Sequence, residues 1–132
     1  MSQMETMASA WAPRFLSVLR IVTGLLFMEH GTAKLFHFPV SQGEFPLLSL
    51  MGIGGVLEAV GGALIVVGFL TRPTAFILSG QMAVAYFMFH APENFYPMVN
   101  NGDAAILYSF IFLYLVAAGA GPLSVDAIRG RR

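Results

Sequence analysis

The feature that most constrains this chain is a largely apolar run from Phe15 to Phe36 that contains Glu29, His30 and Lys34 near its end. A run of this length can cross a lipid bilayer as a helix. Ionisable side chains at membrane depth cost about 2.5–3.5 kcal/mol each, and they usually face the interior of a helix bundle or a water-filled cavity. The run therefore predicts a first membrane span that carries a polar site.

The composition extends this prediction to the whole chain. The chain is 57% hydrophobic and 11% charged, with a mean hydropathy of +0.74, whereas soluble domains average about 25% charged residues. Several spans of about 20 residues each leave no room for a separate soluble domain in 132 residues. We therefore predict one domain over residues 1–132, an all-α integral membrane protein that forms a four-helix bundle.

Charge and cysteine content exclude several classes of protein. The net charge is zero and the basic residues are scattered or terminal, which argues against a nucleic-acid surface. The chain has no cysteine, so it has no disulfide relay, no cysteine-ligated iron–sulfur cluster and no thiolate nucleophile. No small-residue cleavage motif follows the first apolar run, so we interpret that run as a retained span rather than a signal peptide.

Turn-forming residues divide the chain into its predicted spans, at about 15–36, 47–70, 73–90 and 102–120. Ser9 is the predicted N-cap of the first helix, and Pro13 is expected near its first turn. Asn101 is the expected cap of the fourth helix, with Asp103 in its first turn. Ser124 is predicted to cap a short amphipathic tail.

Lysine and arginine are distributed unevenly between the two predicted sides of the membrane. The loops at 37–46 and 91–101 contain neither. The positive-inside rule therefore places both termini in the cytoplasm. The basic residues on the cytoplasmic side are also expected to contact anionic lipid; they are Arg14, Arg72, Arg129, Arg131 and Arg132, with Arg20 near that end of the first span.

Helical periodicity separates the ionisable residues of the first span into two groups. Glu29 points about 140° away from Lys34 at 100° per residue, and it lies among Val22, Leu25, Ala33 and Phe36. We expect a protonated or locally hydrogen-bonded carboxyl there, with a contact between subunits of a homo-oligomer as the alternative. The other face is expected to address the bundle interior, and it carries Arg20, Thr23, Phe27, His30, Gly31 and Lys34.

The second span presents a seam of small residues with one acid in it. Small residues let a neighbouring helix approach closely. Lys34 is the predicted partner of Glu58, because pairing removes most of the penalty of an isolated buried charge. The sequence leaves open whether this is a purely structural salt bridge or a pair that also binds a ligand or moves a proton. The seam consists of Met51, Gly54, Gly55, Glu58, Gly61, Gly62 and Ile65.

The third and fourth spans add polar and aromatic groups. Gln81 is expected to form an interhelical hydrogen bond, and His90 falls on the opposite face of the third span by ideal helical spacing. The fourth span carries a stripe with Asp103 at its start. Such an aromatic stripe usually forms core; the alternative is that, together with Tyr86 and Phe87, it lines a flat apolar pocket suited to a quinone ring. The stripe consists of Asp103, Leu107, Phe110, Tyr114 and Ala117.

Metal and haem sites are disfavoured by spacing. A carboxylate-bridged metal site uses Glu-x-x-His on two helices, whereas Glu29 and His30 are adjacent and diverge, so we predict no metal site. Axial ligation of a haem by His30 and His90 is disfavoured because nothing else in the chain supports it.

Several short motifs, taken in order, resemble the pattern of the DoxX family over nearly the whole chain. They are His30-Gly31-x-x-Lys34-Leu35-Phe36, Glu58-x-x-Gly61-Gly62 running into Gly68-Phe69-x-Thr71-Arg72, His90-x-Pro92-x-x-Phe95, Asn101-Gly102-Asp103, and Gly119-x-Gly121-Pro122-x-Ser124-x-Asp126. The resemblance implies a four-helix protein of the bacterial inner membrane. It also implies association with quinone-linked oxidoreductases, including thiosulfate:quinone oxidoreductase, or with oxidative-stress complexes. Lys34, Glu58, His90 and Asp103 match recurring polar positions of the family, and Asp103 stands where a glutamate is more usual.

The leading hypothesis is a redox-associated membrane subunit that binds a quinone-like small molecule. Lys34 would hold a ring oxygen, and Glu58 or His30 would exchange protons with it. One alternative is a non-catalytic anchor that docks a soluble oxidoreductase through the Arg72 turn and the basic tail; another is a small transporter or proton pathway. The residues predicted to line the binding pocket are His30, Lys34, Glu58, His90, Asp103 and Tyr114.

Overall fold

The structure, a computed structural model, describes residues 1–130, and every regular element in that part is helical. The predicted all-α class is therefore confirmed, and the predicted roles of Arg131 and Arg132 lie outside the described residues. Two helices, α1 and α2, are long and apolar enough to cross a membrane, and α5 is a shorter apolar helix. The elements are α1 (Gln3–Phe36), α2 (Leu50–Val67), α3 (residues 71–90), α4 (Pro97–Asn100), α5 (Asp103–Ala118) and α6 (Val125–Ile128).

Helix α1 starts well before the predicted first span. Ser2 forms a capping box with Glu5: its Oγ accepts a hydrogen bond from Glu5 N at 3.1 Å, and Glu5 Oε2 accepts one from Ser2 N at 2.6 Å. This reciprocal pairing satisfies two free donors and sets the helix start. The expectation of a cap at Ser9 was wrong for that reason, and Pro13 lies inside the helix rather than in its first turn.

Of the caps predicted for the later helices, the one at Ser124 is confirmed and the one at Asn101 is wrong. Ser124 caps α6 as predicted, because its Oγ accepts a hydrogen bond from Ala127 N at 3.0 Å. Asn101 does not cap α5; it adopts a left-handed conformation at the end of α4, with φ of 60°. Gly102 occupies the cap position, and its N–H donates to Asn100 Oδ1 at 2.8 Å. The asparagine that supports the start of α5 is therefore Asn100, one residue before the predicted Asn101.

The helices pack mainly as two pairs, α1 with α2 and α3 with α5. Their contact surfaces close over an apolar core of buried side chains. At one end of the molecule, here called the loop end, lie the connections at residues 37–49 and 91–102. At the other, here called the terminal end, lie the α2–α3 turn and residues 119–130. The core consists of Phe27, Ile65, Ala75, Leu78, Met82, Phe112 and Leu115.

The predicted faces of α1 are largely correct. Arg20, Thr23, Phe27 and Gly31 are buried. Glu29 is exposed together with Val22, Leu25 and Phe36, whereas Ala33, assigned to the same face, is buried. The role of the Glu29 carboxyl in a subunit contact stays a prediction.

The small-residue seam between α1 and α2 brings the two backbones close together. A Cβ built on Gly31 would lie 2.6 Å from Gly55 O and 2.9 Å from Ala59 Cα, and one on Gly62 would lie 2.8 Å from Met28 Cα. The obstructing atoms are backbone atoms, which cannot rotate away. The seam predicted from the glycines of the second span therefore exists, and Gly31 of the first span completes it.

Gly31→Ala is expected to destabilise the protein by about 1–3 kcal/mol, as overpacking of a close contact does. The matched control is Gly80→Ala in α3, where a Cβ meets no atom within 4 Å. That change is expected to be neutral or stabilising by up to about 1 kcal/mol, because alanine is the better helix former. Thermal unfolding in mild detergent compares the two. Equal melting temperatures for the two variants would contradict the close packing of the seam.

Candidate functional site

A cavity of about 420 Å³ lies at the loop end, between α1, α2, α3 and α5. This volume falls in the range of about 300–1,000 Å³ that is typical of small-molecule sites. Most of the lining is apolar, including Phe27, Met51, Met82 and Phe89. Polar side chains converge on it from all four helices and from two loops; they are His30, Lys34, Gln42, Glu58, Gln81, His90, Asn101 and Tyr108.

The cavity contains the predicted ion pair between α1 and α2. Lys34 Nζ lies 2.7 Å from both Oε1 and Oε2 of Glu58, so the pairing expected from the sequence is confirmed. The Glu58 side chain is 4% exposed and the Lys34 side chain 14%. An ammonium has three N–H donors, of which these contacts use two. Among the described residues, the third N–H donor of Lys34 has no hydrogen-bond partner.

Two π-helical turns adjoin the cavity. Leu57–Gly61 interrupts α2 and includes Glu58, and Tyr86–His90 ends α3 and includes His90. Such turns are rare and occur frequently at functional sites, because the additional residue per turn re-aims the side chains that follow. Gln81 and His90 were expected on opposite faces of the third span, yet both line the cavity. The π turn between them accounts for the difference, since ideal α-helical spacing no longer applies.

His90 is held in place by its neighbours. Its Nδ1 lies 2.9 Å from Asn100 O, and its ring stacks on Tyr86 with centroids 6.2 Å apart. Asn100 Nδ2 in turn donates to Tyr86 Oη at 3.1 Å and to Asn94 O at 2.9 Å. These contacts fasten the 91–102 loop to the end of α3 and fix the imidazole at the cavity wall.

The cavity lining also includes His30 of α1, Gln81 of α3 and Tyr108 of α5. The His30 ring meets the Tyr108 ring edge-on, with centroids 6.1 Å apart. Gln81 forms the interhelical hydrogen bond that the sequence predicts, donating from Nε2 to Gly54 O at 3.3 Å. Tyr108 was not among the predicted site residues. Nothing in the sequence marks it, because α5 is apolar on nearly every side.

Asp103 and Tyr114 do not line the cavity, which corrects their predicted placement. Both are exposed, as are Leu107 and Phe110 of the same stripe. The face of α5 that packs inward carries Ala105, Phe112 and Leu115 instead. The wrong face of α5 was predicted to point inward, because an evenly apolar helix has no periodic pattern that shows which face is buried. Tyr86 and Phe87 are likewise outside the cavity lining.

A second polar cluster lies at the terminal end, around Arg20. The Arg20 side chain is fully buried, and its guanidinium donates to backbone carbonyls of two separate segments. Nε donates to Ile65 O at 2.9 Å, Nη1 donates to Ala120 O, and Nη2 donates to Leu123 O at 2.6 Å. Ser17 joins the same segment, because its Oγ accepts from Leu123 N at 3.1 Å. Arg20 therefore ties α1 to the end of α2 and to the chain after α5.

Asp126 completes this cluster, which we call the terminal clasp (Ser17, Arg20 and Asp126 with their backbone partners). Its carboxylate accepts hydrogen bonds from Leu70 N and Thr71 N, each at 3.0 Å, and its own N–H donates to Gly68 O at 2.8 Å. Burial alone raises the pKa of Asp126, but the hydrogen bonds from Thr71 and Leu70 and the charge of Arg129 outweigh it, so the pKa lies below its ordinary value. The carboxylate caps the start of α3 in its ionised form.

Two further basic residues of the terminal end, Arg72 and Arg129, also have structural contacts. Arg72 Nη1 donates to Val116 O at 2.8 Å and to Ala117 O at 2.6 Å, at the end of α5. The Arg129 guanidinium lies over the Phe69 ring, 5.1 Å from its centroid. The two segments whose motifs resemble the DoxX pattern, residues 68–72 and 119–126, therefore contact each other at the terminal end.

Asp126→Asn is expected to cost about 1–3 kcal/mol, because the amide can accept only one of the two N–H bonds well and leaves a buried donor unpaired. The folded pKa is depressed, so the carboxylate contributes stability at pH values above its unfolded pKa of about 3.9 and loses it as the pH falls through the folded value. The melting temperature of the native protein should therefore fall more steeply below about pH 4 than that of the variant. Asp103→Asn, at an exposed site, is the control and should retain the native pH profile.

Within residues 1–130, no group of three or more His, Cys, Asp or Glu side chains is arranged to hold a metal ion. His30 and His90 both line the cavity, with one nitrogen of His90 engaged by Asn100 O.

Long apolar helices around a polar cavity are typical of a small all-helical membrane protein. Comparison with protein-family models gives a match to DoxX over residues 15–91, more than half of the chain. The chain belongs to the DoxX family.

Two curated proteins match along most of their length. An "Uncharacterized protein" of Haemophilus influenzae is 44% identical over 126 residues, covering 88% of this chain and 91% of the relative. "Inner membrane protein YqjF" of Escherichia coli is 32% identical over 124 residues, covering 87% and 92%. No solved structure gives a significant match.

Proposed function

We propose that the cavity at the loop end binds a flat, quinone-like small molecule, and that the protein acts as a binding subunit beside a membrane oxidoreductase that supplies electrons. The observation that carries the proposal is a largely apolar cavity of about 420 Å³ with an ion pair in its wall. Apolar walls suit a ring and an isoprenoid tail, while a few convergent polar groups fix orientation. The family resemblance in the sequence supports the same assignment.

In this proposal each polar side chain has a distinct role. Lys34 uses its remaining N–H donor to hold a ring oxygen. Glu58 and His30 are the groups in the cavity that can exchange a proton with that oxygen. His90, fixed by Asn100 and Tyr86, positions the ligand at the loop side.

We also propose a four-helix membrane topology with both termini on the cytoplasmic side of an inner membrane. Helix α3, at 1.5 Å per residue, is about 30 Å long over residues 71–90 and matches a bilayer core. The basic residues Arg14, Arg72 and Arg129 lie at the terminal end, and the loops at the other end have no lysine or arginine. The relative named an inner membrane protein supports the compartment. The cavity then opens towards the extracytoplasmic side.

Two observations favour binding over the alternative roles. Fully buried apolar side chains, among them Phe112, Leu115 and Leu78, separate the cavity from the terminal clasp, which disfavours a continuous proton or solute path. Arg72 Nη1 donates to two carbonyls at the end of α5, which gives the Arg72 turn a structural role that does not need a docked enzyme.

Ligand titration of the purified protein tests the proposal. A ubiquinone headgroup with a short tail should bind the native protein saturably in a calorimetric titration. Gly54→Leu inserts a side chain between Gln81 and Glu58, where a built Cβ lies 3.6 Å and 3.9 Å from their polar atoms, and should weaken binding at least tenfold. Gly80→Leu makes the same change where a Cβ meets nothing within 4 Å, and should bind normally. Absence of saturable binding, or equal binding by both folded variants, would overturn the proposal.

A further inference from the structure

The wall of the cavity contains a buried hydrogen-bond acceptor that has no partner. Gln81 Oε1 is one of two buried side-chain atoms without a hydrogen bond among the described residues; the other, Thr71 Oγ1, belongs to the terminal end. A buried polar atom left unpaired costs about 1–3 kcal/mol. Unsatisfied buried groups are rare and call for an explanation, and Gln81 belongs to the lining of the cavity.

The orientation of the Gln81 amide is determined by its other contact. Nε2 donates to Gly54 O at 3.3 Å. Turning the amide over would set Oε1 against that carbonyl oxygen, two acceptors facing each other, and would lose the bond between α3 and α2. The amide therefore keeps its donor on Gly54, and its acceptor is the unpaired atom.

The neighbouring polar groups do not supply the missing donor. Lys34 directs its ammonium to both oxygens of Glu58. Gly54 lies between this pair and the amide, since a Cβ built on it falls 3.6 Å from Gln81 Nε2 and 3.9 Å from Glu58 Oε2. This side of the cavity thus combines one available ammonium donor with an unpaired amide oxygen and a carboxylate.

We propose that the cavity recognises a ligand through an O–H group donated to Gln81 Oε1, so that it prefers the reduced, hydroquinone form over the quinone. A quinone presents only carbonyl acceptors, and one of them facing Gln81 Oε1 would leave both oxygens unpaired. A hydroquinone presents a hydroxyl that donates to Gln81, while its other oxygen accepts from Lys34. This inference rests on the proposed function and adds the redox form that the site selects.

The test compares three ligands that share one headgroup: a tail-free ubiquinone headgroup, its hydroquinone, and the dimethyl ether of that hydroquinone. Anaerobic calorimetric titration should give at least tenfold tighter binding of the hydroquinone than of the other two. In Gln81→Leu the ratio of the two affinities should fall to about twofold or less. Gln81→Glu loses the Nε2 donor to Gly54 O but keeps an acceptor at this position, and it should retain the preference. Melting temperatures establish that both variants are folded.

The outcomes separate this inference from the proposed function. Equal affinity for quinone and hydroquinone in the native protein, or an unchanged preference in Gln81→Leu, overturns the inference while the binding function stands. Failure of all three ligands to bind overturns both.

Discussion

Arg20→Ala is expected to lower the melting temperature of the purified protein by about 10 °C or more, a loss of roughly 3–5 kcal/mol. The guanidinium is fully buried and donates to carbonyls of Ile65, Ala120 and Leu123. Alanine removes the donors and leaves those oxygens unpaired in a dry interior, where each unmet acceptor is costly. Thermal unfolding in mild detergent, followed by circular dichroism, measures the effect.

The matched control is Arg14→Ala, in the same helix. Arg14 is exposed, and its guanidinium lies over the Trp11 ring, 4.9 Å from the centroid, a contact worth about 0.5–1 kcal/mol at an exposed site. Arg20→Lys should fall between the two, because one ammonium cannot reproduce the planar set of donors. If Arg20→Ala melts within a few degrees of Arg14→Ala, the terminal clasp does not hold the helices together.

Lys34→Met is expected to produce the second large effect, by leaving Glu58 without its partner. The Glu58 side chain is 4% exposed, and breaking a buried ion pair from one side typically costs about 3–5 kcal/mol. We expect a lowered melting temperature and, in the titration with the ubiquinone headgroup, affinity reduced at least tenfold.

The double variant Lys34→Met with Glu58→Met separates stability from function. Replacing both members of a buried pair by apolar residues of similar size is often neutral or stabilising, so the melting temperature should return to within a few degrees of native. Ligand binding should remain lost, because neither the donor nor the proton-exchanging acid is present. Native binding in the double variant would show that the ion pair is structural only.

The site could be predicted from the sequence to the extent that helical spacing is regular. His30 and Lys34 are one turn apart on α1, and a buried lysine needs an acid at similar depth, which Glu58 supplies. Gln81 and His90 appeared to diverge because ideal spacing ignores the π turn at Tyr86–His90. Tyr114 was predicted to line the site and Tyr108 was not considered, because α5 is apolar all round and only its contacts with α1 and α3 decide which face is buried.

Arg20 shows the same limit at the other end of the molecule. In the sequence it reads as a basic residue near a membrane boundary, where it contributes to topology. In the structure it is the donor that joins three segments of the chain. Its partners are backbone carbonyls, which every residue possesses, so no pattern of side chains could identify them.

The sequence by itself determined the class of the molecule, its all-helical content and the pairing of Lys34 with Glu58. Those properties depend on composition, on local periodicity and on the cost of an unpaired buried charge, all of which are visible along the chain. Only the tertiary structure decided which face of α5 packs inward, how the two π turns aim Glu58 and His90, and that Gln81 Oε1 is left without a partner. These features arise from contacts between helices distant in sequence, so the packing alone sets them.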